Sequence, residues 1–119
     1  MTRLEIETSL NELNGFVLNG RMMDAFEKYY HDDVIMQENH LTPTFSKVAN
    51  RQRELEFLGN IIEFRGAEVK GMGVGDSISF VIWKYDYIHK QWGVRDYTQV
   101  SIQEWKDGKI IKETFVYAN

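Results

Sequence analysis

Apolar positions recur along the first half of the chain at helical intervals and along the second half at alternating ones. Thr2 followed by Glu5 has the spacing of a capping box, and Ile6, Leu10, Leu13 and Val17 then make one apolar stripe, which predicts a first helix to about Leu18. Asn19-Gly20 breaks it. Met22, Phe26, Tyr29 and Tyr30 form a second stripe, ended by the polar run His31-Asp32-Asp33, so a short second helix folds back on the first. Val34-Ile35-Met36-Gln37 is β-prone and predicts a strand. The stretch from Glu38 to Phe45 holds the only proline, Pro43, and reads as a loop. Ser46 can cap a third helix running to about Ile62, with Val48, Leu55, Leu58 and Ile62 on its apolar face and Arg51, Arg53, Glu54 and Glu56 mostly solvated.

From Glu63 onward the period becomes extended. Turn signals at Gly73 to Asp76, His89 to Gly93 and Lys106-Asp107-Gly108 divide the remainder into four strands of a meander. Helices grouped before strands indicate an α+β class rather than parallel βαβ units, and nothing along the chain suggests a second domain. Alternation also predicts faces. Thr98, Val100 and Ile102 are the more apolar set of their strand and are expected to face the helices, opposite Gln99, Ser101 and Gln103. In the last strand Glu113 shares a side with Ile111, Phe115 and Tyr117, a carboxylate on an otherwise apolar face. Such a group needs a hydrogen-bonding or cationic partner, or it holds a proton with a raised pKa. The strand from Ser77 to His89 is bulky on both sides, with Trp83, Tyr85 and Tyr87 on one and Phe80, Ile82, Lys84, Asp86 and Ile88 on the other. The helices suffice to cover one face, so a homodimer through the open face of the sheet is expected.

Composition narrows the function classes. With 43% hydrophobic and 13% aromatic residues in 119, the chain has enough apolar material for one core. A net charge of -4 provides no broad cationic surface for nucleic acid or anionic membranes. The absence of cysteine removes disulfides, thiolate nucleophiles and thiolate-bound metals. The first twenty residues are charged at Arg3, Glu5, Glu7 and Glu12, unlike a signal peptide or a membrane span, and a cytoplasmic protein is expected.

Few motifs carry chemistry. His31, His40 and His89 are too scattered for a metal site, and no serine sits in a nucleophile elbow. Gly71, Gly73 and Gly75 alternate but precede a strand, which suits a bulged hairpin rather than a phosphate loop. The segment Met36-Gln37-Glu38-Asn39-His40 places a carboxylate and an imidazole two residues apart, on one side if the chain stays extended. In a pocket Glu38 would act as general base and His40 as its partner or as an acid; at a rim both would be satisfied by neighbours and water.

The helical hairpin ending in Phe26-Glu27-Lys28-Tyr29-Tyr30-His31-Asp32-Asp33-Val34, the Met36-Gln37-Glu38-Asn39 segment, and Trp105-Lys106-Asp107-Gly108-Lys109-Ile110 leading to Glu113-Thr114-Phe115-Val116-Tyr117 resemble the nuclear transport factor 2-like superfamily, and within it the SnoaL-like, polyketide-cyclase-type domains. The resemblance spans nearly the whole chain. It implies a cone-shaped α+β barrel, three helices packed on a strongly curved, mostly antiparallel sheet that encloses a pocket, commonly in a sheet-mediated dimer. Enzymes of this family include cyclases, isomerases, dehydratases and epoxide hydrolases, which use a pocket carboxylate or histidine and no cofactor; other members only bind a ligand or a protein. Glu38 falls where isomerase-like members hold their base. Their tyrosine and acid donors fall near Asn14 and near Val100 or Ser101, a departure from that chemistry. Cyclase-type members use an acid from the sheet, for which Asp86, Asp96 and Glu113 are available. The expected catalytic set is therefore Glu38, His40 and Glu113. Tyr30, Met36, Trp83, Val100, Phe115 and Tyr117 are the expected ligand-binding residues, for a small, largely apolar organic molecule without metal or cofactor. A non-catalytic dimeric binding module is the alternative.

Overall fold

The computed structural model describes residues 1–118. Helix α1 (Arg3–Leu18) begins with the predicted box: the Thr2 hydroxyl accepts from Glu5 N at 3.1 Å, and Glu5 Oε1 accepts from Thr2 N at 2.8 Å. Its buried stripe is the expected Ile6, Leu10, Leu13 and Val17, with Asn14 added. Helix α2 (Met22–Tyr29) buries Ala25, Phe26 and Tyr29 against it. Strand β1 (Tyr30–Glu38) starts where α2 stops, so His31, Asp32 and Asp33 lie in a strand instead of ending a helix. The turn into extended backbone occurs at Tyr30 itself (φ -97°, ψ 130°).

A two-residue strand, β2 (Thr44–Phe45), pairs with β1 inside the segment expected to be a loop. Helix α3 (Lys47–Gly59) is capped by Ser46, whose hydroxyl accepts from Ala49 N at 3.2 Å, and ends before Ile62. Its inward side is not the apolar one. Val48 is 73% exposed, whereas Asn50 is buried and donates through Nδ2 to the backbone oxygens of Val34 (3.2 Å), Thr44 (3.0 Å) and Ser46 (2.9 Å). That amide ties α3 to β1 and β2, and it turns Glu54 and Phe57, four and seven positions on, toward the sheet.

Strands β3 (Ile61–Val74), β4 (Ile78–His89), β5 (Gly93–Lys106) and β6 (Lys109–Tyr117) form the predicted meander. The β5–β6 turn is the Asp107-Gly108 pair, both at positive φ (54° and 81°), the conformation a two-residue primed hairpin requires. The sheet order is β2-β1-β6-β5-β4-β3, antiparallel except between β1 and β6. The three helices on a curved, mostly antiparallel sheet are the expected α+β architecture, and because β2 and β3 remain as edges the sheet curves around a pocket without closing. The core of Ile6, Leu10, Phe26, Val34, Val81 and Ile110 lies between the helices and the sheet. No described helix is long and apolar enough to cross a membrane.

Strand β5 is turned opposite to expectation. Gln99, Ser101 and Gln103 are buried, while Thr98 is exposed and Val100 and Ile102 are half-buried on the outer side. Hydrogen bonding reverses the apolar pattern, because these polar side chains satisfy one another inside the sheet's concave face.

Candidate active site

Between the helices and that concave face lies a cavity of about 1150 Å³. Strand β4 supplies one wall with Trp83, Tyr85 and Tyr87, the first two stacked at 5.3 Å. Tyr97 and Tyr117 continue the wall, and the Tyr97 and Tyr87 hydroxyls are hydrogen-bonded at 2.9 Å. Helix α3 closes the other side with Glu54 and Phe57.

The floor is a directed chain of hydrogen bonds. An indole N–H can only donate, so Trp105 Nε1 gives to Ser79 Oγ at 2.8 Å, and the Ser79 hydroxyl proton is left for Gln103 Oε1 at 2.7 Å. This fixes the Gln103 amide, whose Nε2 donates to Glu113 Oε2 at 2.9 Å. Tyr30 completes the set with a hydrogen bond between its hydroxyl and Glu113 Oε1. One carboxylate oxygen must therefore accept from Gln103, and the proton that Glu113 gains or loses resides on the side toward Tyr30.

Two carboxyls face this cavity with pKa values pushed up to about 7. Burial is the main cause for Glu113, opposed by the hydrogen bonds from Tyr30 and Gln103 that favour its charged form. For Glu54 burial again comes first, then repulsion from Glu113 and Glu38, with Arg53 pulling the other way. Glu54 keeps some accessible surface because it touches the cavity, yet protein surrounds it. The Tyr30 phenol is driven well above its usual range by burial and by the adjacent Glu113, so it is a donor that stays protonated.

The expected site residues divide. Glu113, Tyr30, Met36, Trp83, Phe115 and Tyr117 all line the cavity. Glu38 lines it at the rim, half-exposed, with Arg53 Nη2 at 3.7 Å from its Oε2. His40 does not join it: the strand ends at Glu38, Asn39 takes a positive φ of 50°, and His40 is exposed on the turn that follows. The premise of a continuous extended chain from Glu38 to His40 fails there. Val100 lies on the outer face, beside Gly73, Phe80 and Ile102, a consequence of the reversed β5. Asp86 and Asp96 pair with Arg65 and Lys84 away from the cavity. Glu54, Gln99, Ser101 and Gln103 were not anticipated. No local signal marked them: Glu54 sits among Arg51, Arg53 and Glu56, and the polar positions of β5 alternate with a more apolar set.

Among the described residues no group of three His, Asp or Glu side chains is placed to hold a metal ion. The donor set suits an organic molecule: an aromatic slot, a carboxyl pair at its floor, and amide and hydroxyl groups between them.

No family model and no curated protein matches the chain. Solved structures do. A proposed SnoaL-like polyketide cyclase [carbohydrate phosphatase] from Mesorhizobium loti superposes with a TM-score of 0.84 at 27% identity, covering 97% of this chain and 98% of that one. An NTF-2 like protein of unknown function from Burkholderia xenovorans gives 0.78 at 21%, covering 97% and 84%. A proposed isomerase from Bacillus subtilis gives 0.78 at 13%, covering 99% and 90%, a likeness of fold alone.

Proposed function

Because the chain has the SnoaL-like fold of the nuclear transport factor 2-like superfamily, we propose that it is a cofactor-free acid/base enzyme of the isomerase, cyclase or dehydratase type. Its substrate is a small, largely apolar organic molecule, and Glu113 and Glu54 handle the proton. The observation that carries this reading is the pair of enclosed carboxyls on opposite walls of one cavity, both raised to about 7. Repulsion between like charges opposes ionising both at once, so near neutral pH one is an acid while the other is a base. The ionised member removes a proton from carbon, and the protonated member or the Tyr30 hydroxyl donates to the oxygen on which charge develops. Positioned proton transfer of this kind accelerates a reaction by about 10²–10⁴-fold. Glu38, held by Arg53 at the rim, has the place of an orienting group rather than the base, and His40 has no part.

The test is α-proton exchange of 2-tetralone in D2O, followed by NMR. Wild type is expected to exchange faster than buffer, with an inflection near pH 7, and Glu113→Gln and Glu54→Gln each to lower the rate by about 10²-fold or more. A protein that binds the ketone yet exchanges it no faster than buffer is a binding module, and the enzyme reading falls.

The outer sheet face supports the second half of the reading, a homodimer through the sheet. Phe80 and Val116 are each more than two-fifths exposed; Ile102 and Val100 are their respective cross-strand partners, and Ile82 pairs with Val100 from the other side. They form an apolar surface on the side that no helix covers.

A further inference from the structure

The cavity has an acidic floor, but its rim holds a cation that no described side chain pairs with. Arg95, near the start of β5, lines the cavity and is half-buried, with its guanidinium 4.6 Å above the centre of the Tyr97 ring. The other arginines of the lining are committed, Arg21 to Asp24 at 2.7 Å and Arg53 to Glu38 at 3.7 Å. The Arg95 side chain has no ion-pair or hydrogen-bond partner among the described residues. Its planar fork of five N–H donors stacks on an aromatic face and lines the cavity. That is the arrangement which recognises a carboxylate in a two-pronged fashion.

We infer that the ligand is an elongated ring-bearing acid, bound with its carboxylate on Arg95 and its opposite, hydrogen-bonding end at Glu54 and Glu113. The inference rests on the reading of the cavity as an organic-ligand site and names the ligand class it takes. Three features support the orientation. The floor carboxyls repel an anion, and with one of them ionised near pH 7 an acid group cannot enter first. The wall between rim and floor is aromatic, with Tyr97 opposite Tyr85 and Gln99 opposite Trp83, which suits flat rings. Finally, Arg95 and Gln103 stand near opposite ends of β5, separated by roughly 25 Å of strand at about 3.3 Å per residue. Even after both side chains reach inward, that length exceeds a single ring.

The probe is 4′-hydroxybiphenyl-4-carboxylate, whose carboxylate and hydroxyl lie at opposite ends of two rings, compared with its neutral 4-carboxamide. Binding is measured by calorimetry at pH 7.5 in low salt. Wild type is expected to prefer the acid by about tenfold or more, the effect of one charge-assisted bidentate contact. Arg95→Gln should abolish the preference while leaving amide affinity unchanged, and Arg95→Lys should restore part of it. Because the Arg95 side chain stacks on Tyr97 but makes no hydrogen bond or ion pair among the described residues, these variants should keep the wild-type circular dichroism with little change in melting temperature.

Equal affinity for acid and amide, or a preference that survives in Arg95→Gln, overturns the inference. If neither compound binds, the cavity does not take ring ligands and the inference falls with the site reading. If the acid preference holds but 2-tetralone is not exchanged, the ligand class stands and only the catalysis is lost.

Discussion

Glu113→Gln should flatten the dependence of stability on pH between 5 and 8. In the folded protein, burial raises the Glu113 carboxyl from 4.5 to about 7. A carboxyl raised in this way binds its proton more tightly folded than unfolded. The stability it contributes is therefore fully present below about pH 4.5 and is lost as pH rises through about 7. At 1.36 kcal/mol per unit, the displacement corresponds to about 3 kcal/mol. Glu54 shows the same displacement, second-largest in cause from Glu113 itself, so the two titrate as a pair and the figure is not doubled. Substituting Glu113 removes one titration and relaxes the other. The new amide can still accept from Gln103 Nε2 through its oxygen, but its NH2 then faces the Tyr30 hydroxyl, which must turn its proton away, and this should destabilise the variant by about 1–3 kcal/mol at every pH. The slope, not the absolute value, carries the test. Urea unfolding followed by tryptophan fluorescence in half-unit steps gives it directly. A wild-type protein whose stability is level or rises from pH 5 to 8 refutes the raised carboxyls, and so does a variant with the wild-type slope.

The floor network makes a second prediction. Ser79→Ala orphans the Trp105 indole N–H and releases Gln103 to rotate, so it should cost about 1–3 kcal/mol and, by depriving Glu113 of a donor to its charged form, move that carboxyl further upward in an NMR titration. Asn50→Ala leaves the carbonyls of Val34, Thr44 and Ser46 without their shared donor, and a loss of about 1–3 kcal/mol in urea unfolding is expected, with early hydrogen exchange in β2. If the proposed dimer forms through the sheet, light scattering should report wild type as a dimer and Phe80→Lys, which places a charge on the outer face beside Ile102, as a monomer; a monomeric wild type removes the dimer, and a variant of unchanged dimeric mass places the interface elsewhere.

The fold was legible in the sequence wherever burial and local pattern agree. Helix α1 has its cap in Thr2 and Glu5 and its stripe in Ile6, Leu10, Leu13 and Val17, and all of them are used as the pattern suggests. The hairpin turn at Asp107-Gly108 needs two positive φ angles, and those residue types tolerate them. Where the pattern misled, a polar side chain had been bought into the interior by hydrogen bonds that periodicity does not record. Val100 and Ile102 look like the inner face of β5, yet Gln103 occupies it because Ser79 and Glu113 are there to receive it, and Ser101 does so paired with Gln99. Ser79 and Glu113 come from the two neighbouring strands, β4 and β6, beyond the reach of any local rule.

Helix α3 shows why the site was less legible than the fold. A helix that packs on a filled core turns its apolar side inward, and on that rule Val48 and Leu55 should be buried and Glu54 solvated. Instead Val48 and Leu55 are 73% and 49% exposed, and Glu54 faces Glu113 across open space. The inversion makes sense only when the helix walls a cavity: Asn50 anchors its N-terminal half to β1 and β2, and its remaining inward positions are free to present chemistry instead of packing. Glu113 could be found from the sequence because one carboxylate interrupts an apolar strand face. Glu54 could not, because a charged residue among Arg51, Arg53 and Glu56 looks like any exposed turn of helix. Its partner across the cavity gives it a role, and that partner lies on the last strand of the sheet.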